Sequence, residues 1–362
     1  KKIIFGLGLL FTLSSYSGIE TGGKGKPCTP VHIYYSPFNI DVSGGDLSPA
    51  VNWPNFLNYP DDRAKYGLRG NVSAVRYIAR TFEKDTTGVG LAFDESGKLI
   101  MTYVGSFCHV DVAEMRELRY DPSGRLTGIF ENPQLDRQAS SEERFEYDAS
   151  NRLVRRSSRF IPGEWQTYAY YPNGNLKCMV PVQDSANFSS LGCVGTMEFD
   201  EAGELVRMES YITANPFVLP AKNYRNELRS VCTFVHSEGL CTEKRETIFF
   251  KDKGMKPDTI PCLSRYAYNS KGDIASWEYD GGYFRAKSAD RSDYAIPRTS
   301  FTLRFDYDYD RQGNWTTMRI IFPDNYADIM VLRNLYSSLA KERKAVSGVK
   351  PVVIIERSID YY

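Results

Sequence analysis

From residue 66 to residue 362 the chain runs in short stretches that alternate apolar and polar residues. Each stretch stops at the same seven-residue unit: aromatic, usually Asp, two variable residues, Gly, a polar residue, an apolar residue. Seven copies occur, Phe93–Leu99, Tyr120–Leu126, Tyr147–Leu153, Tyr170–Leu176, Phe199–Leu205, Tyr268–Ile274 and Tyr309–Trp315, with Phe250–Lys256 as a degenerate eighth. Asp or Asn first, Pro tolerated second and a closing Gly are the preferences of a type I turn. A type I turn followed by a residue of positive φ is the common three-residue hairpin loop with a bulge. Gly97, Gly124, Gly174, Gly203, Gly272 and Gly313 hold that place, and Asn151, the next residue best suited to it, holds it in the third copy. Tyr171 is the one departure from Asp or Asn at the turn's start.

Two residues before each aromatic stands another apolar or aromatic residue: Leu91, Leu118, Phe145, Tyr168, Met197, Tyr266 and Tyr307. Period two means that one face of each strand is buried. The pattern therefore predicts a mostly β fold. Antiparallel hairpins stack into one elongated sheet, curled enough to bury its aromatic face. The register loosens between Gly203 and Gly272, which suggests an irregular insertion over about 206–262. Ile329, Leu332, Tyr336 and Leu339 recur at helical spacing, with Lys341, Arg343 and Lys344 near the end where the helix dipole favours cations. This predicts one C-terminal helix over about 325–345, inserted before a closing strand from Val352 to Tyr362.

The N-terminal stretch reads differently. Lys1-Lys2, the apolar run Ile3–Leu13 and Ser15-Tyr16-Ser17 before Gly18 have the layout of a secretory signal peptide over 1–17. Residues 18–62, rich in Pro and Gly, read as a leader or cap, and 63–362 as the hairpin domain. Export changes how the seven cysteines read, because disulfides persist in oxidising compartments. Cys178 and Cys193 flank one short segment. Cys232 and Cys241 would face each other across a hairpin loop at Val235–Glu238. Buried thiols are the other reading of all four.

Composition narrows the function. Lys+Arg and Asp+Glu both number 45, and the resulting zero net charge argues against a nucleic-acid partner. A mean hydropathy of −0.41 excludes a polytopic membrane protein, and no membrane span is expected in the mature chain. No nucleophile elbow, phosphate loop, zinc signature or cofactor motif occurs, so neither catalytic nor metal residues nor a cofactor are assigned. Asp306, Asp308 and Asp310 alternate along one strand and read as a solvated face. By parity with Ile274, Trp277 and Tyr279 fall on the outward face, and Trp165 does so relative to Tyr168. These three are the candidate ligand-binding residues, as a platform for a sugar ring.

The units resemble those of the YD-repeat (Rhs-type) family, whose repeats carry a Tyr-Asp–x–x–Gly-Asn/Arg-Leu core. Tyr66-Gly67-Leu68-Arg69-Gly70-Asn71-Val72 is similar to the opening of small secreted YD-repeat proteins of Gram-negative-type envelopes. Gly313-Asn314-Trp315-Thr316 and Glu356–Tyr362 are similar to their closing strands. Large members form a hollow shell around a C-terminal toxin, whereas this pattern runs to residue 362 and leaves no toxin domain. The resemblance implies an exported protein of the periplasm, cell surface or exterior. It would act without catalysis as a binding or structural module for a glycan or a surface protein. The alternative from another class is a polysaccharide hydrolase using a carboxylate pair.

Overall fold

The computed structural model describes residues 38–40, 47–49, 61–80, 87–106, 112–131, 144–157, 164–183, 193–202, 204–212, 227–250, 258–283, 285–286, 294–329, 332 and 352–362. The expected signal peptide and most of the 18–62 leader lie outside these residues. The strands, in chain order, are β1 (Phe38–Ile40), β2 (Leu47–Pro49), β3 (Val72–Arg80), β4 (Thr87–Phe93), β5 (Leu99–Ser106), β6 (Val112–Tyr120), β7 (Leu126–Glu131) and β8 (Phe145–Tyr147). There follow β9 (Leu153–Ser157), β10 (Glu164–Tyr170), β11 (Leu176–Gln183), β12 (Cys193–Phe199), β13 (Leu205–Ile212), β14 (Glu227–Ser237), β15 (Leu240–Phe250) and β16 (Asp258–Tyr268). The last are β17 (Ile274–Gly282), β18 (Arg285–Ala286), β19 (Tyr294–Ala295), β20 (Arg298–Tyr309), β21 (Trp315–Ile321) and β22 (Val352–Tyr361).

The sheet does more than curl. β3 to β17, β20, β21 and β22 form a closed antiparallel barrel in which β22 pairs with β3. Closure removes the free edges that an elongated sheet would expose. The buried face is the inner one. Along β20, Phe301, Leu303 and Phe305 are buried while Thr302, Arg304, Asp306 and Asp308 are exposed. Leu91, Leu99, Leu126, Leu153, Met197 and Leu205 are all below 2% exposure and share one apolar cluster.

The turns form as the sequence implies. In the first, Gly97 donates to Asp94 and Asp94 donates to Lys98, both at 2.9 Å. The closing residues have positive φ at Gly97, Gly124, Asn151, Gly174, Gly272 and Gly313, while Gly203 lies outside the described residues. Successive units are also stitched together. Tyr120, Tyr147 and Tyr170 donate their hydroxyls to the carbonyls of Leu99, Leu126 and Leu153 in the preceding unit, at 2.8, 2.8 and 2.7 Å. In return Lys98, Arg125 and Arg152 sit over the rings of Tyr120, Tyr147 and Tyr170, 5.8, 5.5 and 4.9 Å from the centroids. In these units the tyrosine, the basic residue and the leucine lock one hairpin to the next.

Three expectations need correction. The described residues of the segment expected as an insertion, 206–212, 227–250 and 258–262, are regular barrel wall. β14 and β15 form a full hairpin around Glu238-Gly239, both with positive φ, the backbone of a two-residue type I′ turn. The disulfides are absent among the described residues, where Cys178, Cys232, Cys241 and Cys262 are thiols. The short turn sets the register: Cys232 opposes Glu246 and Cys241 opposes His236. Cys178 opposes Glu198, five residues along β12 from Cys193, or about 17 Å away. Finally, the C-terminal helix is not borne out. Tyr326–Asp328 is a single 3-10 turn that Ile329 ends in extended backbone, φ −97 and ψ 100. Ile329 and Leu332 are buried in the barrel's apolar cluster. Residues 333–351 lie outside the described residues, as does most of Phe250–Lys256.

Candidate functional site

Trp277 and Tyr279 do not face outward. They are 4% and 7% exposed inside the barrel. Trp277 lies 6.4 Å from Tyr266, 6.3 Å from Tyr279 and 5.6 Å from Phe301, ring centroid to centroid. The cause is a second irregularity after every turn. Tyr268 opposes Ile274 but Ala267 opposes Ser276, so Ala275 is an extra residue and the parity flips. The same step follows the other units, between Ala92 and Phe93 or between Asp308 and Tyr309 for example. Inward positions after a turn are therefore spaced by three: Leu126 and Ile129, Ile274 and Trp277, Trp315 and Met318. Trp165 sits in β10 opposite Val182 and Ser157, and its side chain lies outside the described residues.

The flip puts Arg265, Glu278 and Thr302 in one outward row across β16, β17 and β20, with Leu263, Asp280 and Ser300 in the next row. These residues, with Tyr279 and Phe301, line a surface depression of about 280 Å³ in which Leu263 is the apolar member of the outward rows. Two rows about 7 Å apart on three strands about 4.8 Å apart frame an area close to that of one sugar ring. Arg298 clamps Asp280 through both carboxylate oxygens, at 2.8 and 2.5 Å. That hydrogen bonding holds the Asp280 carboxyl below its ordinary range. Arg265 and Arg245 both reach Glu243 on β15, at 3.3 and 2.6 Å, and so extend a polar border around the depression. The aspartates that read as a solvated face are one: Asp308 pairs with Arg319, and Asp310 accepts backbone N–H groups of its own turn. No group of acidic, His or Cys residues suited to a metal occurs among the described residues.

Sequence reasoning missed the polar cluster on the inner wall. Lys244 and Glu246 project inward beside Cys232, Cys262 and Tyr279, with Nζ 2.9 Å from Oε2. Burial penalises the Lys244 ammonium, but the Glu246 carboxylate outweighs it and holds the lysine well above its ordinary pKa. Burial opposes the Glu246 carboxylate too, and Lys244 nonetheless keeps it low. Burial pushes the Cys232 thiol up to about 12, so it stays protonated near neutrality. Thr242 to Thr247 carries a charge at every position between the threonines. Period-two contrast therefore vanishes there, and nothing in the sequence tells which charges turn inward.

No family model matches the chain, and no curated protein is significantly similar to it. Among solved structures, a porin-like protein from Bacteroides uniformis is 10% identical with a TM-score of 0.34, covering 81% of this chain and 98% of its own. A porin-like protein from Bacteroides vulgatus is 7% identical with a TM-score of 0.26, covering 80% and 98%. Likeness at these scores decides nothing about function.

Proposed function

We propose that this chain is an exported YD-repeat (Rhs-type) protein, a non-enzymatic barrel that binds glycan at the depression over β16, β17 and β20. The carrying observation is the lining of that depression. Arg265 supplies donors, Glu278 and Asp280 acceptors, and Ser300 and Thr302 both, beside the apolar Leu263. Sugar hydroxyls donate and accept at once, so a ring of mixed polarity over a small apolar patch suits them. Seven turn units in the sequence, with tyrosine and basic stitches at successive described ones, support the family reading.

Two further observations support the water-facing, non-catalytic part. A lipid-facing barrel wall is apolar outside. Here the outward positions carry Arg304, Asp306, Asp308, Glu278 and Arg265. A glycosidase needs one carboxylic acid with a raised pKa, whereas in this depression Asp280 is lowered and bound to Arg298.

The test is a glycan panel probed with the mature chain and its Glu278→Ala and Arg265→Ala variants. Both residues are exposed, so melting should stay within about 0.5 kcal/mol of the parent. A glycan hit weakened about tenfold by either substitution is expected. A blank panel, or variants that bind as well as the parent, would refute the site.

A further inference from the structure

The two ends of the repeat region meet where β22 pairs with β3, and their geometry reproduces the turn unit. Tyr361 opposes Val72 while Asp360 opposes Ala74, which leaves Ser73 extra. Phe93 opposes Leu99 while Ala92 opposes Met101, which leaves Ile100 extra in the same way. Tyr362 donates its N–H to the Asn71 carbonyl at 3.0 Å, as Asp94 does to Lys98 and Tyr171 to Asn175. Gly70 has φ +75, the conformation of the closing residue in the intact units. Even the departure from Asp is matched. Where Tyr171 replaces Asp, its hydroxyl donates to the Phe199 carbonyl, the aromatic of the next hairpin around the barrel, at 2.9 Å. Tyr362 occupies the equivalent place and donates to the Phe93 carbonyl, again the aromatic of the next hairpin, at 2.6 Å.

We infer that the barrel is closed by a further turn unit divided between the two ends of the domain, with β22 a detachable closing strand in the seam between β21 and β3. Tyr361-Tyr362 supplies the first half and Gly70-Asn71-Val72 the second. No covalent turn joins them, so side chains must hold the strand. Arg357 is 6% exposed, with its guanidinium carbon 3.4 Å from the Trp315 ring centroid on β21 and 4.8 Å from that of Tyr77 on β3. Its Nη2 donates to the Tyr66 carbonyl at 3.2 Å. The Tyr361 hydroxyl bonds Asp310 and accepts from Asn314 Nδ2 in the neighbouring turn. The strand thus carries its own recognition elements, and a peptide of residues 352–362 fits the seam as a ligand.

The full chain provides the test. A Cβ at Gly174 would meet nothing within 4 Å, and one at Gly70 would make only ordinary van der Waals contacts, with Gln312 Oε1 at 3.5 Å and with Gln312 Cδ and Tyr361 Cε1 at 3.7 Å, so Gly70→Val and Gly174→Val both report the left-handed penalty without a clash. Each should shift its local turn equilibrium by roughly five- to thirtyfold. Only Gly70→Val should speed amide hydrogen exchange in β3 and β22 by that factor and take up a fluorescent 352–362 peptide. A peptide carrying Arg357→Ala should enter less. Exchange in β3 and β22 at the parent's rate, acceleration no greater than Gly174→Val gives, or no peptide uptake would overturn the inference. If Gly70→Val does not fold, Tyr362→Phe takes its place against Tyr171→Phe. The first should speed exchange in β22 and the second should not, and equal rates would contradict a divided unit.

Discussion

Replacing Trp277 by Ala separates an interior role from a surface one. The indole is 4% exposed and packs against three rings. Burying a side chain of this size removes about 150–250 Å² from water, or roughly 4–6 kcal/mol at 25 cal/mol per Å². Alanine keeps a little of that and the cavity collapses in part, so core Trp truncations cost about 3–5 kcal/mol. One feature lowers the figure: Nε1 has no hydrogen-bond partner among the described residues. Deleting it relieves a buried N–H worth about 1–3 kcal/mol. The net expectation is about 3 kcal/mol, a fall in melting temperature of about 5–10 °C for a domain of this size. Trp277→Phe keeps a ring and drops the orphan N–H, and should stay within about 1.5 kcal/mol. Thermal melts checked by urea midpoints measure both. A Trp277→Ala chain that melts within about 1 °C of the parent would show that the ring is not in the core, and the parity flip at Ala275 would be wrong with it.

Other consequences follow from the same geometry. Gly124 has φ +78 beside an exposed Ser123; Gly124→Val should therefore destabilise by about 1–2 kcal/mol and Ser123→Val by far less in paired melts. The denatured, unreduced chain should titrate at least four thiols, since Cys178, Cys232, Cys241 and Cys262 are unbridged, while native Cys232 should resist alkylation at pH 7. Glu246, its pKa lowered when folded, contributes stability above the unfolded carboxyl value that is lost as pH falls through the folded value. Lys244, raised when folded, contributes stability below about 10.5 that is lost at higher pH. With side chains 27% and 20% exposed, Lys244→Met should cost about 1–3 kcal/mol at pH 7, less than a fully buried pair, and Glu246→Gln should flatten the acid limb of the stability–pH curve.

The turns were legible because their chemistry is local. Asp121 and Gly124 report a type I turn and a left-handed residue without reference to anything distant, and the structure has both. What lies one bulge away was not. Ala275 carries no mark as an extra residue, so counting by twos from Ile274 put Trp277 on the wrong face. Strand β15 hid its inward charges because both of its faces are charged. The apolar spacing of Ile329 and Leu332 did report burial, for both side chains lie in the barrel's apolar cluster, but it gave no sign that Tyr326–Asp328 stops as a single 3-10 turn with Ile329 extended. The repeats also read as an open stack. Closure depends on β22 pairing with β3, from Ile354 opposite Arg80 to Tyr361 opposite Val72, contacts nearly the whole domain apart in sequence, which no window along the chain contains.

A phase-partition experiment tests the water-facing barrel most directly. The chain from residue 18 onward would be mixed with a clouding detergent and assayed in the aqueous and detergent-rich phases, with folding followed by melting in detergent-free buffer. An outer wall carrying Arg265, Glu278, Arg304, Asp306 and Asp308 predicts recovery in the aqueous phase and a cooperative melt without detergent. Recovery in the detergent phase, with folding only in micelles, would mean that the wall faces lipid and would contradict the account.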